Sequence, residues 1–225
     1  SEWGAEMAEV CQGLALARLI FNTHRGEDSE IESLLKQAQG LREAAGLRAE
    51  MAETLNGLGS LKEKQRAFSD AEQYYTKSLE IRRLLPEGDD RGKSREQSIA
   101  QSLTSIGKLF LAMSDEEKVD SDAGRKSRQN FLAKALESLK AAKDAYTKGF
   151  HDGHPKVAWA LEGLANVLEK SGDLRGAQGA WSEAIAIRRN LQLKDNKKEM
   201  FTKEMKEDEE KMKAIEKKRS AIKGK

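Results

Sequence analysis

The sequence predicts an all-α chain of about four helical hairpins followed by a charged C-terminal helix. Three observations lead there. Proline accounts for 2 of 225 residues and aromatics for 5%, so both helix breakers and strand formers are scarce. Apolar residues recur at helical spacing along most of the chain. Small residues return at fixed intervals: Gly59 to Ala71 and Ala165 to Ala177 are each 12 apart, Ala71 to Ser78, Ala135 to Ala142 and Ala177 to Ala184 are each 7, and Ala135 to Ala177 is 42. A period of that size marks a repeat architecture. A generic amphipathic bundle, the plainer alternative, requires no such intervals.

The opening repeat, residues 5–45, is degenerate, as terminal repeats usually are. The frame moved back 42 residues from Ala52 lands on Val10. Leu16-Ala17 then matches Leu58-Gly59, and Ser29, Ser33 and Lys36 fall on second-helix positions. Helices are expected near 5–22 and 28–44. The second repeat, 47–85, carries Ala52, Leu55, Leu58 and Gly59 on a helix over 47–64, then Ala71, Tyr75 and Ser78 on one over 68–85. The third, 94–149, carries Ala100, Leu103, Ile106, Gly107 and Phe110 over 94–113, then Ala135, Leu139 and Ala142 over 128–149. Two polar, turn-rich insertions interrupt the period: 6 extra residues within 86–92 and 16 within 114–128. Part of the longer one is equally compatible with extending the flanking helices. The fourth repeat, 155–191, places Ala158, Leu161, Leu164 and Ala165 over 155–170; Gly172-Asp173 ends that helix, and Ala177, Trp181, Ala184 and Ile187 share a face over 174–191.

The small residues have a packing role. Gly59, Gly107 and Ala165 on first helices, and Ala71, Ala135, Ala177 and Ala184 on second helices, let two backbones pack near the short end of the usual 8–10 Å spacing. Tyr75, Leu139 and Trp181 fill the wider space one turn later.

These residues resemble a tetratricopeptide repeat, and more narrowly the 42-residue variety of kinesin light chains and nephrocystin-like proteins. His154-Pro155-Lys156-Val157-Ala158 is similar to that family's inter-repeat signature; Leu164-Ala165, Gly172-Asp173, Ala177-Gln178 and Ala184-Ile185-Ala186-Ile187 are similar to its hairpin pattern. Leu55 to Gly59, Ala71 to Tyr75 and Ser78 to Ile81 match nearly as well. The resemblance covers 47–191 firmly and 5–45 weakly. It implies a right-handed superhelical solenoid over 1–191, with 192–225 as a charged C-terminal helix or capping extension. It also implies a concave groove, lined by first helices, that holds a peptide or a partner's helix. Carried onto this chain, the groove positions are residues 11, 14, 18, 21 and 22; Glu53, Asn56, Ser60, Glu63 and Lys64; Gln101, Thr104, Lys108, Leu111 and Ala112; and Trp159, Glu162, Asn166, Glu169 and Lys170. The family's paired asparagines, which clamp a ligand backbone, are replaced here by Asn56-Gly57, Thr104-Ser105 and Glu162-Gly163. That departure argues against recognition of an acidic-aromatic cargo motif.

The groove's own chemistry is of mixed charge, with Lys64, Lys108 and Lys170 beside Glu53, Glu63, Glu162 and Glu169. Trp159 lies off the buried stripe and reads either as a hot-spot anchor or as a cover over the neighbouring repeat. Trp181 reads as core. Asn56 and Asn166 are candidate clamps for a backbone amide, or solvated surface residues.

The tail is distinct in composition. Residues 192–225 hold 12 basic and 8 acidic residues. Phe201, Met205, Met212, Ile215 and Ile222 follow a three-four spacing interrupted by Asp208 and Arg219, a seam too thin for a firm coiled coil. Three readings stay open: a cap on the last repeat, a partner-seeking amphipathic helix, and a solvated charged helix. The chain begins at Ser1, which reads as a processed, trimmed or engineered start.

Catalytic constellations are thin. Cys11 is the only cysteine, expected at a groove position, and His24 is its nearest histidine. His151, Asp152 and His154 fall in a turn and read as an inter-hairpin connection rather than a metal site. Gly57 to Lys62 lacks the full phosphate-loop motif and sits inside a helix. Glu116-Glu117 and Glu209-Glu210 are solvated charge runs. Arg125-Lys126-Ser127-Arg128 follows an acidic stretch without interleaved aromatics, and 40 basic against 38 acidic residues leave no bias toward nucleic acid. No apolar run is long enough to span a membrane. The expectation is a non-catalytic protein-binding module or scaffold within an assembly, without cofactor or metal, whose partner is another protein and not nucleic acid. A recruiting adaptor using the groove is the alternative. Oligomeric state is left open, as is the choice between a cytoplasmic and a soluble organellar location.

Overall fold

A computed structural model describes residues 2–21, 28–87, 94–194 and 201–223. Asn22, His24, the greater part of the 86–92 insertion and the side chains of Phe21 and Ile222 lie outside the described residues. The helices are α1 (Glu2–Phe21), α2 (Asp28–Ala44), α3 (Arg48–Lys64), α4 (Phe68–Leu84), α5 (Arg95–Glu116), α6 (Asp122–Gly149), α7 (Pro155–Lys170), α8 (Leu174–Lys194) and α9 (Thr202–Lys223). The architecture is all-α, and its helices pair as hairpins. The chain forms two compact units, Ser1–Leu109 and Phe110–Lys225, divided within α5.

In the first unit α1 packs on α2, α2 on α3 and α3 on α4. In the second, α6 packs on α7, α7 on α8 and α8 on α9. These helices meet their neighbours in sequence, the contact pattern of repeat proteins. The helices end where turn chemistry allows. Gly172 ends α7 with φ +88°, its N–H donating to the Glu169 carbonyl at 3.1 Å. Arg66 holds the equivalent place after α3 with φ +62°, donating to Glu63 at 2.9 Å. At the start of α7, His154 is the N-cap: its Nδ1 accepts from the Lys156 N–H at 3.2 Å, and Pro155 takes the first helical turn, where its missing N–H costs nothing. The His-Pro pair is therefore a capping device.

Helix ends fall within three residues of expectation except around 114–128. There α5 continues to Glu116 and α6 starts at Asp122. Ser121 caps α6 by accepting from the Gly124 N–H at 3.1 Å, so the connection shrinks to 117–121. The Phe110 and Phe131 rings stack at 6.3 Å, and Lys134 lies 4.7 Å from the Phe110 ring.

One pattern organises the second helices. Ala71, Tyr75, Ser78 and Arg82 of α4 are buried, as are Ala135, Leu139, Ala142 and Tyr146 of α6 and Ala177, Trp181, Ala184 and Arg188 of α8. In α2 the same spacing gives Ile31, Leu35, Ala38 and Arg42. This corrects the expected register of the first repeat. Ser33 and Lys36 are exposed, and the true stripe starts two residues after Ser29, because packing follows the apolar residues rather than the 42-residue frame. Gly59 lies directly under Tyr75, and a Cβ there would come within 2.5 Å of the ring.

Candidate protein-binding surface

The expected groove residues divide between the two units. In the first, Glu53, Asn56 and Glu63 are half-buried on α3, and Ser60 and Lys64 are exposed. Asn56 Nδ2 donates to Ser105 Oγ at 3.3 Å, bridging α3 and α5, while its Oδ1 is buried with no hydrogen-bond partner among the described residues. Tyr75 donates its hydroxyl to Glu63 at 2.8 Å; burial, and then the Glu63 charge, raise the phenol above its ordinary range. Lys64 pairs with Asp28 at 3.3 Å. On α5, Gln101 and Lys108 are exposed, whereas Thr104 turns its hydroxyl back to the Ala100 carbonyl at 2.7 Å. Cys11 is a buried free thiol packed with Ala8 and Ala38 rather than a groove residue. Leu14 is exposed, and Arg18 pairs with Glu30.

In the second unit Leu111 and Ala112 are half-buried. Trp159 is 50% exposed on α7, and Asn166 is half-buried. Glu162 pairs with Arg188, Lys170 with Asp115, and Glu169 accepts from Lys218 at 2.6 Å. Much of the expected groove chemistry is thus committed inside each unit. The glycines that replace the second asparagine in two of the three pairs have a packing cause. A Cβ at Gly57 would meet Leu35 at 3.2 Å, and one at Gly163 would meet Leu139 at 3.0 Å. The preceding helix occupies the space an asparagine would need.

The buried arginines were invisible to the sequence reading. Arg42 donates to Gln12, to the Glu50 carbonyl at 2.9 Å and to Thr54 Oγ1 at 2.6 Å, joining α2 to α1 and α3. Arg82 donates to the Ser98 carbonyl at 2.6 Å, joining α4 to α5, with Ser78 and Ser102 hydroxyls 3.1 Å apart beside it. Arg188 pairs with Glu162 on α7 and Asp208 on α9. Burial pushes the Asp208 carboxyl above its ordinary range, against the pull of Arg188 and Lys211. The signal was an arginine at one offset in three of four second helices.

The C-terminal helix lies antiparallel along α8. Gln192 reaches Thr202, Arg188 reaches Asp208, Ser182 lies 3.3 Å from the Met212 sulfur, and Gln178 contacts Glu216 and Arg219. The two polar residues that interrupt the tail's apolar seam, Asp208 and Arg219, are those that meet polar partners on α8.

In unit two a cleft of about 550 Å³ lies between Val119, α6 and the end of α7, with Arg128, Leu132, Leu136 and Lys170 in its lining. Arg125 at its edge is tied to Asp122 and to the Val119 carbonyl at 2.9 Å. His151 is exposed and sits edge-on to His154 at 5.8 Å. Among the described residues no group of three or more His, Cys, Asp or Glu is placed to hold a metal ion, and no helix is long and apolar enough to cross a membrane.

No protein-family model matches the chain, and no curated protein matches it. Among solved structures it is similar to the crystal structure of BtubC (BKLC) from P. vanneervenii, with a TM-score of 0.59 and 14% identity over 96% of this chain and 81% of that one. The fold is a repeat-like helical solenoid. At 14% identity the likeness speaks to fold alone. The assembly chaperone of RpL4 (Acl4, residues 1–338), 14% identical over 77% of this chain and 74% of that one, has a TM-score of 0.29, too low for a common topology.

Proposed function

We propose that the chain is a non-catalytic scaffold of the tetratricopeptide type, similar in its repeat to kinesin light chains and nephrocystin-like proteins, that holds another protein within a multiprotein assembly. The observation that carries this reading is the coupling of successive helices by buried arginines. Arg42, Arg82 and Arg188 each reach from a second helix to the helix that follows. Such links suit a stiff support better than a groove that adapts to its cargo. The polar groups that would grip a peptide backbone are largely engaged already: Thr104 with Ala100, Glu162 with Arg188, and Lys170 with Asp115.

A recruiting adaptor is the second reading. Two observations favour it: the half-exposed indole of Trp159, and the unpartnered Oδ1 of Asn56. Crosslinking of the native assembly, followed by mass spectrometry, would identify the partner and the face it touches. Capture of that partner by a Trp159→Ala, Asn56→Ala, Asn166→Ala variant then separates the readings. A scaffold docked elsewhere keeps its binding. An adaptor loses most of it, because buried aromatic anchors each carry 2 kcal/mol or more, about thirtyfold in affinity.

A further inference from the structure

Trp3, Met7, Val10 and Leu14 stand along one face of α1 and are 74%, 44%, 64% and 44% exposed. The other exposed large apolar side chains among the described residues, Leu84, Val119, Trp159 and Leu193, lie on separate elements. Offsets of four, three and four are those of a coiled-coil seam. The adjoining face of α1, with Ala8, Cys11 and Ala15, is spent in the unit's core.

Later helices show what this face is built for. Ala15 on α1 and Gly59 on α3 each pack with the large residue of the next helix, Leu35 and Tyr75. That aligns Met7, Val10 and Leu14 with Met51, Thr54 and Leu58 of α3. The counterparts are Ile99, Ser102 and Ile106 in α5, and Val157, Ala160 and Leu164 in α7. The second and third residues of every later set are buried, and each set lies beside the helix before it. Thr54 meets Arg42, Ser102 meets Ser78, and Gly163 of α7 meets Leu139. The central residue varies with its cover. It is polar in α3 and α5, where the preceding helix carries Arg42 or Arg82, and apolar in α7, where the preceding helix carries Tyr146. In α1 it is Val10, so the helix that covers α1 must bring an apolar stripe and no arginine.

We propose that α1 is a self-association face, where two copies of the chain pair antiparallel through Trp3, Met7, Val10 and Leu14. Among the described helices only α1 offers an exposed stripe with an apolar centre, so α1 of a second copy is the complement this chain itself supplies. A two-fold axis midway between Met7 and Val10 sets Trp3 against the second copy's Leu14 and Met7 against its Val10, a closed and self-complementary contact. The patch is of the few-hundred-Å² class, about half of the ~800 Å² per partner in a standard interface. The pair is therefore weak and reversible, with a dissociation constant of about micromolar order or weaker.

Sedimentation equilibrium of the intact chain from about 1 to 200 μM measures that constant. The expected result is an apparent mass that climbs from one chain toward two. Val10→Glu and Leu14→Lys should each raise the dissociation constant at least about tenfold, with thermal melts of the dilute protein unchanged because both positions are exposed. Trp3 emission should shift to the blue with concentration in the parent chain and stay fixed in Val10→Glu. A chain that is monomeric throughout overturns the proposal. A dimer indifferent to both substitutions overturns it as well.

Discussion

A hydrogen atom in place of a methyl group decides how close two helices come at Gly59. Its missing Cβ is the space Tyr75 occupies, and a Cβ 2.5 Å from that buried ring forces something to shift. Gly59→Ala should cost roughly 1–3 kcal/mol in urea unfolding. Gly40 on α2 has nothing within 4 Å of its Cβ direction, and Gly40→Ala should gain about 0.5–1 kcal/mol from helix propensity alone. Equal responses at the two sites would remove the packing argument. His154 adds a pH dependence at the same scale. Burial first, then the charges of His151 and Lys156, holds its imidazole below the ordinary value of 6.5, and its neutral Nδ1 is the acceptor that caps α7. A depressed folded pKa means the stabilisation is complete above the unfolded pKa and is lost as pH falls through the folded one. Melting temperature should therefore drop between neutral and mildly acidic pH. His154→Asn, whose side chain caps at any pH, should remove this component while keeping the cap, itself worth about 1 kcal/mol. An unchanged acid response in the variant would assign it to other groups.

Between elements, the buried guanidinium is the joint. Arg188 lies between Glu162 of α7 and Asp208 of α9 and is 1% exposed. Removing it strands a buried carboxylate, and pairs broken this way cost about 3–5 kcal/mol. Arg188→Ala should thus lower stability by that order and speed amide exchange in α9 ahead of α7. Adding Asp208→Ala should recover part of the loss, and strict additivity would mean the two do not interact. The helices themselves were legible because Gly, Asp and Pro punctuate them and small residues mark their closest approaches. The register of α2 was not. Ile31, Leu35 and Ala38 lack the alanine–aromatic signature of Ala71, Tyr75 and Ser78, so a fixed 42-residue frame overruled the local apolar stripe. The arginines escaped for a different reason: a lone Arg reads as surface, and only the common offset of Arg42, Arg82 and Arg188 separates them from the other charged residues. The engagement of Lys64 by Asp28, 36 residues away, and of Lys170 by Asp115, 55 away, depends on tertiary placement that spacing does not encode.

At the scale of the whole chain, a stack of hairpins leaves an apolar face on its last helix, and α9, whose sequence left a cap, a partner-seeking helix and a solvated helix all open, packs along α8. Its inner side brings Ile215, fully buried, and Met212. Lys211 holds its ammonium 4.6 Å from the Trp181 ring, while Lys203, Glu207, Glu210, Lys213 and Lys217 face solvent, the polar outer surface a capping element needs. The 3 tryptophans make this measurable without labels. Trp3 and Trp159 are open to solvent, and Trp181 is fully buried. In the dilute intact chain acrylamide should quench two emitters freely and leave a blue-shifted third protected. Ending the chain after Lys194 should make the third accessible and shift its emission to the red. It should also remove the burial of Ile215, worth roughly 1.5–3 kcal/mol, and leave Arg188 with Glu162 alone. For a unit of about 100 residues each kcal/mol moves the midpoint by about 4–8 °C, so a drop of about 10 °C or more is expected. If the truncated chain melts with the parent and keeps a protected tryptophan, α9 is an appendage, and α8 closes the stack by itself.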